Sequence, residues 1–180
     1  MHQEFIWITK GGAYYAKSIG VSIGKNCRIF TRRFGTEPFL IEIGNNVTIT
    51  KDVIILTHDG STWLFNDQQG RRYMYRKVKI GNNVFIGVNS IIMPGVCIGD
   101  NVIVGAGSIV TKSIPSGSII AGNPAKIIGD FFDYKNKVLG TYLSDAIMTK
   151  EVSKIDAIKK ITANMEMRVF LNDKSNPVKD

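Results

Sequence analysis

The residue best suited to acid–base chemistry is His58, which opens the polar stretch HDGSTWLFNDQQGRRYMYRK over residues 58–77. An imidazole has an ordinary pKa of about 6.5, so it can take a proton from a hydroxyl group near neutral pH. The chain has only one other histidine, His2, and two histidines are too few for a three-histidine zinc site. Cys27 and Cys97 lack metal-ligand spacing, so we expect two packed, free thiols. The alternative interpretation is that His58 is an ordinary surface histidine without a catalytic role.

A second chemical feature is a basic cluster close to His58. The net charge is +8, of which residues 1–129 carry +7 and residues 130–180 carry +1. Five of the positive charges fall in one short stretch, at Arg71, Arg72, Arg76, Lys77 and Lys79. Such a cluster suits an anionic ligand, nucleic acid or plain solvation. The chain carries no known nucleic-acid-binding motif, so we expect no nucleic-acid partner.

A repeat defines the elements that must position these side chains. The pentad Ile-Gly-x-Asn-(Val/Cys) occurs four times, beginning at Ile23, Ile43, Ile80 and Ile98. Between the pentads runs a period of six residues. The leading register reads Ile80, Ile86, Ile92, Ile98, Val104, Val110, and a second register reads Val84, Ser90, Val96, Val102, Ser108, Ile114.

A period of six fits a short strand followed by a turn. Residues two apart in a strand share a face, so both registers can point inward. The Gly and Asn residues beside each leading isoleucine tolerate positive φ at the corners. Three hexads would close a triangle of eighteen residues, and stacked triangles would pair their strands in parallel. An ordinary parallel sheet is the alternative, but residues 80–115 leave no room for crossover helices.

The pentad spacing predicts where the chain leaves this column. Ile80 and Ile98 are eighteen residues apart, which is one coil, whereas Ile23 and Ile43 are separated by two residues more. Ile43 and Ile80 are separated by nineteen residues more than one coil. We therefore predict a long loop at about 58–79, and long loops on rigid scaffolds are usually functional.

The regions outside the repeat divide the chain further. We predict an N-terminal segment over 1–18, a repeat domain over 19–129, and a C-terminal helical extension and tail over 130–180. Isoleucines at 155, 158 and 161, with Met165, are spaced for one helix face, and loosely helical spacing includes Val138, Tyr142 and Ile147. We expect one or two helices over roughly 134–170, capping the column or packing on another chain, followed by a frayed tail NDKSNPVKD.

Residues 19–129 resemble the hexapeptide-repeat acyltransferases, the group that includes galactoside, maltose, virginiamycin and polysaccharide O-acetyltransferases. The resemblance is carried by the hexads, ILTHDG at 55–60, IGNNVFIG at 80–87, IGDNVIVGAGSIVTKSIP at 98–115 and AGNPAKII at 121–128. It implies an all-β, left-handed parallel β-helix. It also implies a homotrimer with active sites between adjacent prisms, and acyl transfer from coenzyme A to a hydroxyl or amine.

The resemblance also implies roles for single residues. His58 would be the general base, acting in a direct transfer without a metal, so Ser61 would not be a nucleophile. The residues matched to coenzyme contacts are Phe85, Ala106, Thr111, Lys112 and Lys126. Packing between protomers is the alternative for Phe85, and solvation is the alternative for Lys112.

The acceptor side departs from the galactoside pattern. Phe30 stands at the place of the family's acceptor-binding asparagine, and Pro38 beside Glu37 falls near the place of its acidic residue. We predict acceptor contacts at Asp59, Trp63 and Tyr73, because aromatic faces and carboxylates suit sugars, with loop anchoring as the alternative.

The resulting hypothesis is an acetyl-CoA-dependent O-acetyltransferase acting on a sugar hydroxyl in polysaccharide or lipopolysaccharide biosynthesis. The acceptor would be a free, nucleotide-linked or lipid-linked sugar. N-acetylation of an amino sugar or xenobiotic, and a non-enzymatic β-helix binding module, are the alternatives. No apolar run reaches the length of a membrane span and the N-terminus lacks a secretory pattern, so we expect a cytoplasmic protein without a membrane span.

Overall fold

A computed structural model describes residues 2–142, 144, 145 and 153–163 of the chain. It divides into two compact units, Met1–Asn136 and Lys137–Asp180. The first unit contains the repeat and all the residues for which we predict a functional role. None of the described helices is long and apolar enough to cross a membrane.

Two helices precede the repeat, in the segment for which the sequence predicted no structure. Helix α1 spans His2–Lys10 and helix α2 spans Gly12–Ser18. Gly11 separates them with a φ of 80°, a conformation that glycine adopts without strain. Trp7 contacts Tyr15 edge to face with ring centroids 5.5 Å apart, and Ala16 is fully buried. The helices therefore cover the start of the hydrophobic core.

The repeat forms three sheets that the chain visits in rotation. Sheet 1 contains β1 (Ser22–Ile23), β3 (Ile41–Ile43), β8 (Val78–Ile80) and β11 (Cys97–Ile98). Sheet 2 contains β2 (Arg28–Ile29), β4 (Thr48–Ile49), β9 (Val84–Ile86), β12 (Val102–Val104), β14 (Ser118–Gly122) and β15 (Ala125–Asp130). Sheet 3 contains β5 (Ile54–Ile55), β10 (Ile91–Ile92) and β13 (Ile109–Val110). Pairing is parallel within the sheets except between β14 and β15.

The strand register confirms the predicted coil spacing. Ile23 pairs with Ile43, Ile43 with Ile80, and Ile80 with Ile98, so each leading isoleucine stacks on the next. The nineteen residues that exceed one coil between Ile43 and Ile80 leave the repeat as a loop between β5 and β8. This loop ends at Lys77 and not at residue 79 as predicted, because Val78 and Lys79 already belong to β8.

The inward residues of the three sheets form one hydrophobic core. Both predicted registers are buried from residue 80 to residue 110, and Ile114 is partly buried. Strand β9 shows the alternation, since Val84 and Ile86 are buried while Phe85 between them is exposed. Each fully buried isoleucine contributes about 1.5–3 kcal/mol to folding. The core therefore holds the three sheets together along the whole repeat.

The corners between sheets 1 and 2 use the residues that the pattern predicted. Asn46, Asn83 and Asn101 have φ values of 54° to 56°, and their side-chain amides hydrogen-bond from coil to coil. A β-carbon at Gly81 would lie 2.8 Å from the carbonyl group of Gly99. Glycine is required at this position because the coils stack too closely for a side chain.

The outer surfaces of the three sheets differ in polarity. Sheet 1 presents polar side chains, among them Glu42 and Lys79. The outer residues of sheet 2 include the stacked apolar row Phe85, Ile103 and Ile119. Those of sheet 3 include the stacked row Ile54, Ile91 and Ile109. Sheets 2 and 3 are thus the apolar walls of the repeat.

The repeat ends in an antiparallel hairpin and a helix. The cis peptide bond Asn123–Pro124 forms the turn between β14 and β15. Helix α3, Phe131–Thr141, begins earlier than the predicted position 134, because Asp130 Oδ1 accepts hydrogen bonds from the backbone N–H groups of Phe132 and Asp133. Its residues Val138 and Thr141 already belong to the second compact unit.

The second unit contains helix α4, Lys154–Thr162, which Ser153 caps. Of the predicted apolar helix face, Ile155 and Ile158 are exposed in the single chain, whereas the neighbouring Ala157 is buried. Ile147, Met165 and the predicted tail lie outside the described residues.

Candidate active site

Two insertions leave the repeat at the same corner, between sheet 3 and sheet 1. Phe34 follows Arg33, which bridges to Ile54 of sheet 3, and Ile43 comes nine positions after Phe34. At the same corner of a later coil, Ile98 comes only six positions after Ile92, so the earlier coil contains a short insertion. The short insertion contains Glu37 and a 3-10 helix, Pro38–Leu40, and the long one begins at His58 one coil further on. Stacking of the coils therefore brings Glu37 beside His58.

Glu37 and His58 form a hydrogen-bonded pair. The Oε2 oxygen of Glu37 lies 2.9 Å from Nδ1 of His58, and the exposed fractions of the two side chains are 17% and 37%. Thr57 Oγ1 donates a hydrogen bond to the same oxygen at 2.7 Å, and Thr36 Oγ1 donates to Oε1 at 2.5 Å. The carboxylate is thus held on both oxygens, and the imidazole is partly open to solvent.

The charge state of Glu37 determines the role of each ring nitrogen. Burial raises the pKa of this carboxyl group, but hydrogen bonds from Thr36, Thr57 and His58 outweigh burial and lower the pKa from 4.5 to about 2. An ionised carboxylate can only accept hydrogen bonds, so Nδ1 of His58 must carry the proton of the pair. The opposite nitrogen, Nε2, is then left as the acceptor of the neutral ring.

The long loop folds back on itself as an antiparallel ribbon. His58 bridges to Tyr75, and strand β6 (Asn66–Asp67) pairs with β7 (Gly70–Arg71). A 3-10 helix, Gly60–Leu64, lies in the first arm. Asp59 Oδ1 accepts hydrogen bonds from the backbone N–H and hydroxyl of Ser61, which also lower the pKa of Asp59. Asp59, predicted as an acceptor contact, therefore caps the loop helix.

Aromatic side chains line one side of this ribbon. Tyr75 contacts the ring of His58 with centroids 6.1 Å apart, and Tyr73 stacks on Tyr75 at 6.2 Å and 9°. The Arg71 guanidinium lies 4.6 Å from the ring centroids of both Tyr73 and Trp63. The predicted residues Trp63 and Tyr73 thus belong to one row with His58. Our sequence analysis missed Tyr75, although the two-residue spacing of Arg71, Tyr73 and Tyr75 could have revealed it.

A groove of about 410 Å³ lies beside the imidazole. Its lining includes His58, Met74 of the loop, and the stacked side chains of Leu56, Met93 and Thr111. The lining is mostly apolar, and its polar side chains are those of His58, Thr111 and Asp59, the last of which we predicted as an acceptor contact. Of the residues predicted to contact a coenzyme, Thr111 is therefore brought to His58 in the same chain.

The other predicted coenzyme residues are distributed over the repeat. Lys112 follows Thr111 at the same corner, and Lys126 lies exposed on β15. Ala106 lies at the corner between sheets 2 and 3. Phe85 lies on the outer surface of sheet 2, the wall opposite the corner that holds His58. A single chain therefore does not bring Phe85 and His58 together.

A larger groove of about 750 Å³ lies at the corner between sheets 2 and 3. Trp7, Phe30, Arg32 and Lys51 are among its lining residues, and it contains no histidine. We assign the candidate active site to the smaller groove because it contains the ordered acid–base pair. The described residues include no cluster of three potential metal-ligating side chains.

Known proteins resemble this chain in sequence and in fold. A family described as "Hexapeptide repeat of succinyl-transferase" matches residues 77–112. Protein CapG of Staphylococcus aureus is 52% identical over 126 residues, which cover 68% of this chain and 73% of CapG. Galactoside O-acetyltransferase of Escherichia coli (strain K12) is 35% identical over 130 residues, which cover 72% of this chain and 63% of that protein.

Among solved structures, a galactoside acetyltransferase in complex with coenzyme A matches with a TM-score of 0.53 and 24% identity. The match covers 80% of this chain and 83% of that one, and it bears on the fold alone. Three parallel sheets built from a six-residue repeat, with a histidine loop at one corner, define an enzyme of the acyltransferase class. The chain belongs to the hexapeptide-repeat acetyltransferase family. This assignment replaces the alternative of a non-enzymatic binding module.

Proposed function

We propose that this protein is an acetyl-CoA-dependent O-acetyltransferase that acts on a sugar hydroxyl, with His58 as the general base. The observation that carries the proposal is the Glu37–His58 pair, which leaves Nε2 of a half-exposed imidazole free to accept a proton beside an apolar groove. The galactoside O-acetyltransferase relative supports a sugar acceptor. The repeat over 19–129 would form the catalytic domain, as a left-handed parallel β-helix, and 130–180 an extension.

Transfer would proceed directly within a ternary complex. Nε2 of His58 takes the proton of the sugar hydroxyl while the hydroxyl oxygen attacks the thioester carbonyl. The new C–O bond forms, the C–S bond breaks, and the imidazolium returns its proton to the departing sulfur. Glu37 stabilises the imidazolium between these two proton transfers and holds the ring in one orientation. Acetyl-CoA is the co-substrate, and no metal takes part.

A homotrimer would complete the site. The apolar outer rows of sheets 2 and 3 can pack on each other in neighbouring copies, and such a heterologous contact closes a ring of three. Sheet 1, whose Glu42 pairs with Lys77 at the end of the long loop, would then face solvent. Phe85 on sheet 2 of one copy would approach the His58 corner of the next. The coenzyme would lie in this crevice, with Thr111, Ala106 and the phosphate-neutralising lysines Lys112 and Lys126 around it.

The acceptor would lie over the long loop. Trp63 and Tyr73 are exposed by 67% and 62%, and their rings offer flat faces of the kind that sugars stack on. We place the activity in polysaccharide or lipopolysaccharide biosynthesis, with a free, nucleotide-linked or lipid-linked sugar as acceptor. The free thiols of Cys27 and Cys97 fit a cytoplasmic, reducing location.

Thiol release from acetyl-CoA with matched acceptors tests the proposal. We expect transfer to oligosaccharides with free hydroxyls, and preferential transfer to amino sugars would instead favour the N-acetyltransferase alternative. His58→Ala should lower kcat by about 10²–10⁴-fold, the usual contribution of a general base. It should still show the rise in melting temperature with coenzyme A that we expect of the wild type. Full kcat in His58→Ala would contradict the role of His58, and His2→Ala is the matched control.

A further inference from the structure

Arg71 is a cation held in a fixed position at the far end of the aromatic row. Its guanidinium packs on two rings and lies 4.6 Å from the centroid of Trp63 and 4.6 Å from that of Tyr73. Packing on two rings restricts a side chain that otherwise has many rotamers, so little further entropy is lost when it binds a ligand. Arg71 is therefore preorganised.

The charge of Arg71 is not neutralised by the neighbouring carboxylates. Arg72, the next residue, forms an ion pair with Asp67, and Lys77 lies 3.5 Å from Glu42. In the part of the chain that the structure describes, no carboxylate pairs with Arg71, and its Nε is buried without a hydrogen-bond partner. A ligand cannot reach the buried Nε, so it would bind the other N–H donors of the guanidinium, whose positive charge has no carboxylate partner among the described residues.

The position of Arg71 relates this cation to the proposed reaction. Arg71, Tyr73 and Tyr75 alternate along one arm of the loop and so share one face of the ribbon. Their contacts of 4.6 and 6.2 Å, followed by 6.1 Å from Tyr75 to His58, form an unbroken row from the guanidinium to the imidazole. A sugar chain lying on this row would present one residue at His58 and another at Arg71.

We propose that Arg71 is an anion-recognition site for the acceptor, so that the acceptor is an acidic oligosaccharide or a phosphorylated sugar. The inference rests on the proposed function, which it deepens by naming the acceptor class. A guanidinium binds carboxylate and phosphate through the same planar array of donors. Trp63 and Tyr73 hold this array and also offer ring faces to the flanking sugars. The acidic residue would bind at Arg71, and the hydroxyl that reacts would belong to a residue nearer to His58.

Direct binding tests this site separately from catalysis. Titration calorimetry would measure a panel of uronic- and sialic-acid oligosaccharides against their methyl esters, which have the same length but no charge. A second comparison, of glucose 1-phosphate with glucose, would test whether the site prefers a phosphate. The protein would be the full chain, with wild type, Arg71→Gln, Arg71→Lys and the control Arg72→Gln, which removes the same charge from the neighbouring position. Melting curves would verify that each variant is folded.

We expect wild type and Arg72→Gln to bind at least one acidic form about tenfold or more tightly than its neutral counterpart. Arg71→Gln should lose this preference, and Arg71→Lys should recover part of it. Preference for the carboxylates assigns an acidic sugar, whereas preference for glucose 1-phosphate alone assigns a phosphorylated one. The proposal is overturned if no charged form binds better than its neutral partner, or if Arg71→Gln keeps the preference. Because the readout is binding, this result is independent of whether acetyl transfer occurs.

Discussion

The carboxylate of Glu37 lies 2.9 Å from Nδ1 of His58, although twenty-one residues separate them in the chain. Both residues leave the repeat at the same corner, one coil apart, so the stacking of coils brings them together. The small insertion after Phe34, which lengthens one coil, thus supplies the partner that orients the histidine of the long loop.

Replacing Glu37 tests whether it acts through His58. Glu37→Gln removes the negative charge that stabilises the imidazolium but keeps the size of the side chain. We expect kcat to fall on the order of 10²-fold, less than the loss caused by removing the base itself. The KM for acetyl-CoA should stay near the wild-type value, because both carboxylate oxygens of Glu37 are already bound by Thr36, Thr57 and His58. Glu42→Gln, a carboxylate on the outer surface of sheet 1, is the matched control and should retain kcat.

The same carboxylate should affect stability in acid. The pKa of Glu37 is lowered to about 2, so its stabilising effect is complete above its ordinary value of 4.5 and is lost as pH falls from there towards 2. In this range the unfolded chain binds the proton before the folded chain does, so the folded state loses stability as the pH falls. Urea unfolding across this range should show a shallower acid loss for Glu37→Gln than for wild type. Thr57→Val, which removes one donor to Glu37, should flatten the loss in part; identical slopes in all three proteins would contradict the assignment.

Phe85→Ala should weaken the binding of acetyl-CoA. If the ring lies along the coenzyme, its loss should raise the KM for acetyl-CoA on the order of tenfold, with a smaller change in kcat. Phe39→Ala removes a more exposed ring from the short insertion and serves as the control. Equal kinetic constants for Phe85→Ala and wild type, with a disrupted assembly, would favour the packing role of this residue instead.

Mixed oligomers test whether the site lies between copies. His58→Ala and Phe85→Glu should each be nearly inactive alone, because the second variant places a negative charge where the coenzyme phosphates must pass. When both chains are expressed together, an intact site forms wherever His58 of one chain meets Phe85 of the other, so activity should reappear. Activity no higher than that of the separate variants, in an assembly shown to contain both chains, would argue for a site within one protomer.

The stacking of the repeat should be sensitive at Gly81. Gly81→Ala places a β-carbon 2.8 Å from the carbonyl group of Gly99, so the coils must move apart. We expect a loss of about 1–3 kcal/mol in the free energy of unfolding, the usual cost of overpacking. Gly60→Ala, in the loop, meets no atom within 4 Å and should leave stability nearly unchanged. Equal unfolding midpoints for the two variants would show that the coils tolerate wider spacing.

The sequence by itself determined the column and the place of its main excursion. The six-residue period fixed which residues point inward, because strand alternation and coil stacking both follow from local spacing. The pentad offsets located the long loop, and the motifs around it identified His58. The period could not reveal helices α1 and α2, which have no repeat, and it placed the end of the loop two residues late.

Only the tertiary structure decided which side chains meet. The partner of His58 is Glu37 from another coil, while the adjacent Asp59 caps the loop helix. The structure also placed Phe85 on the wall opposite His58, and it packed Arg71 on two aromatic rings with no carboxylate partner among the described residues. These contacts depend on which corner an insertion leaves and on how a ribbon folds back. The pairing of Glu37 with His58 joins residues far apart in the chain, so no local pattern of the sequence encodes it.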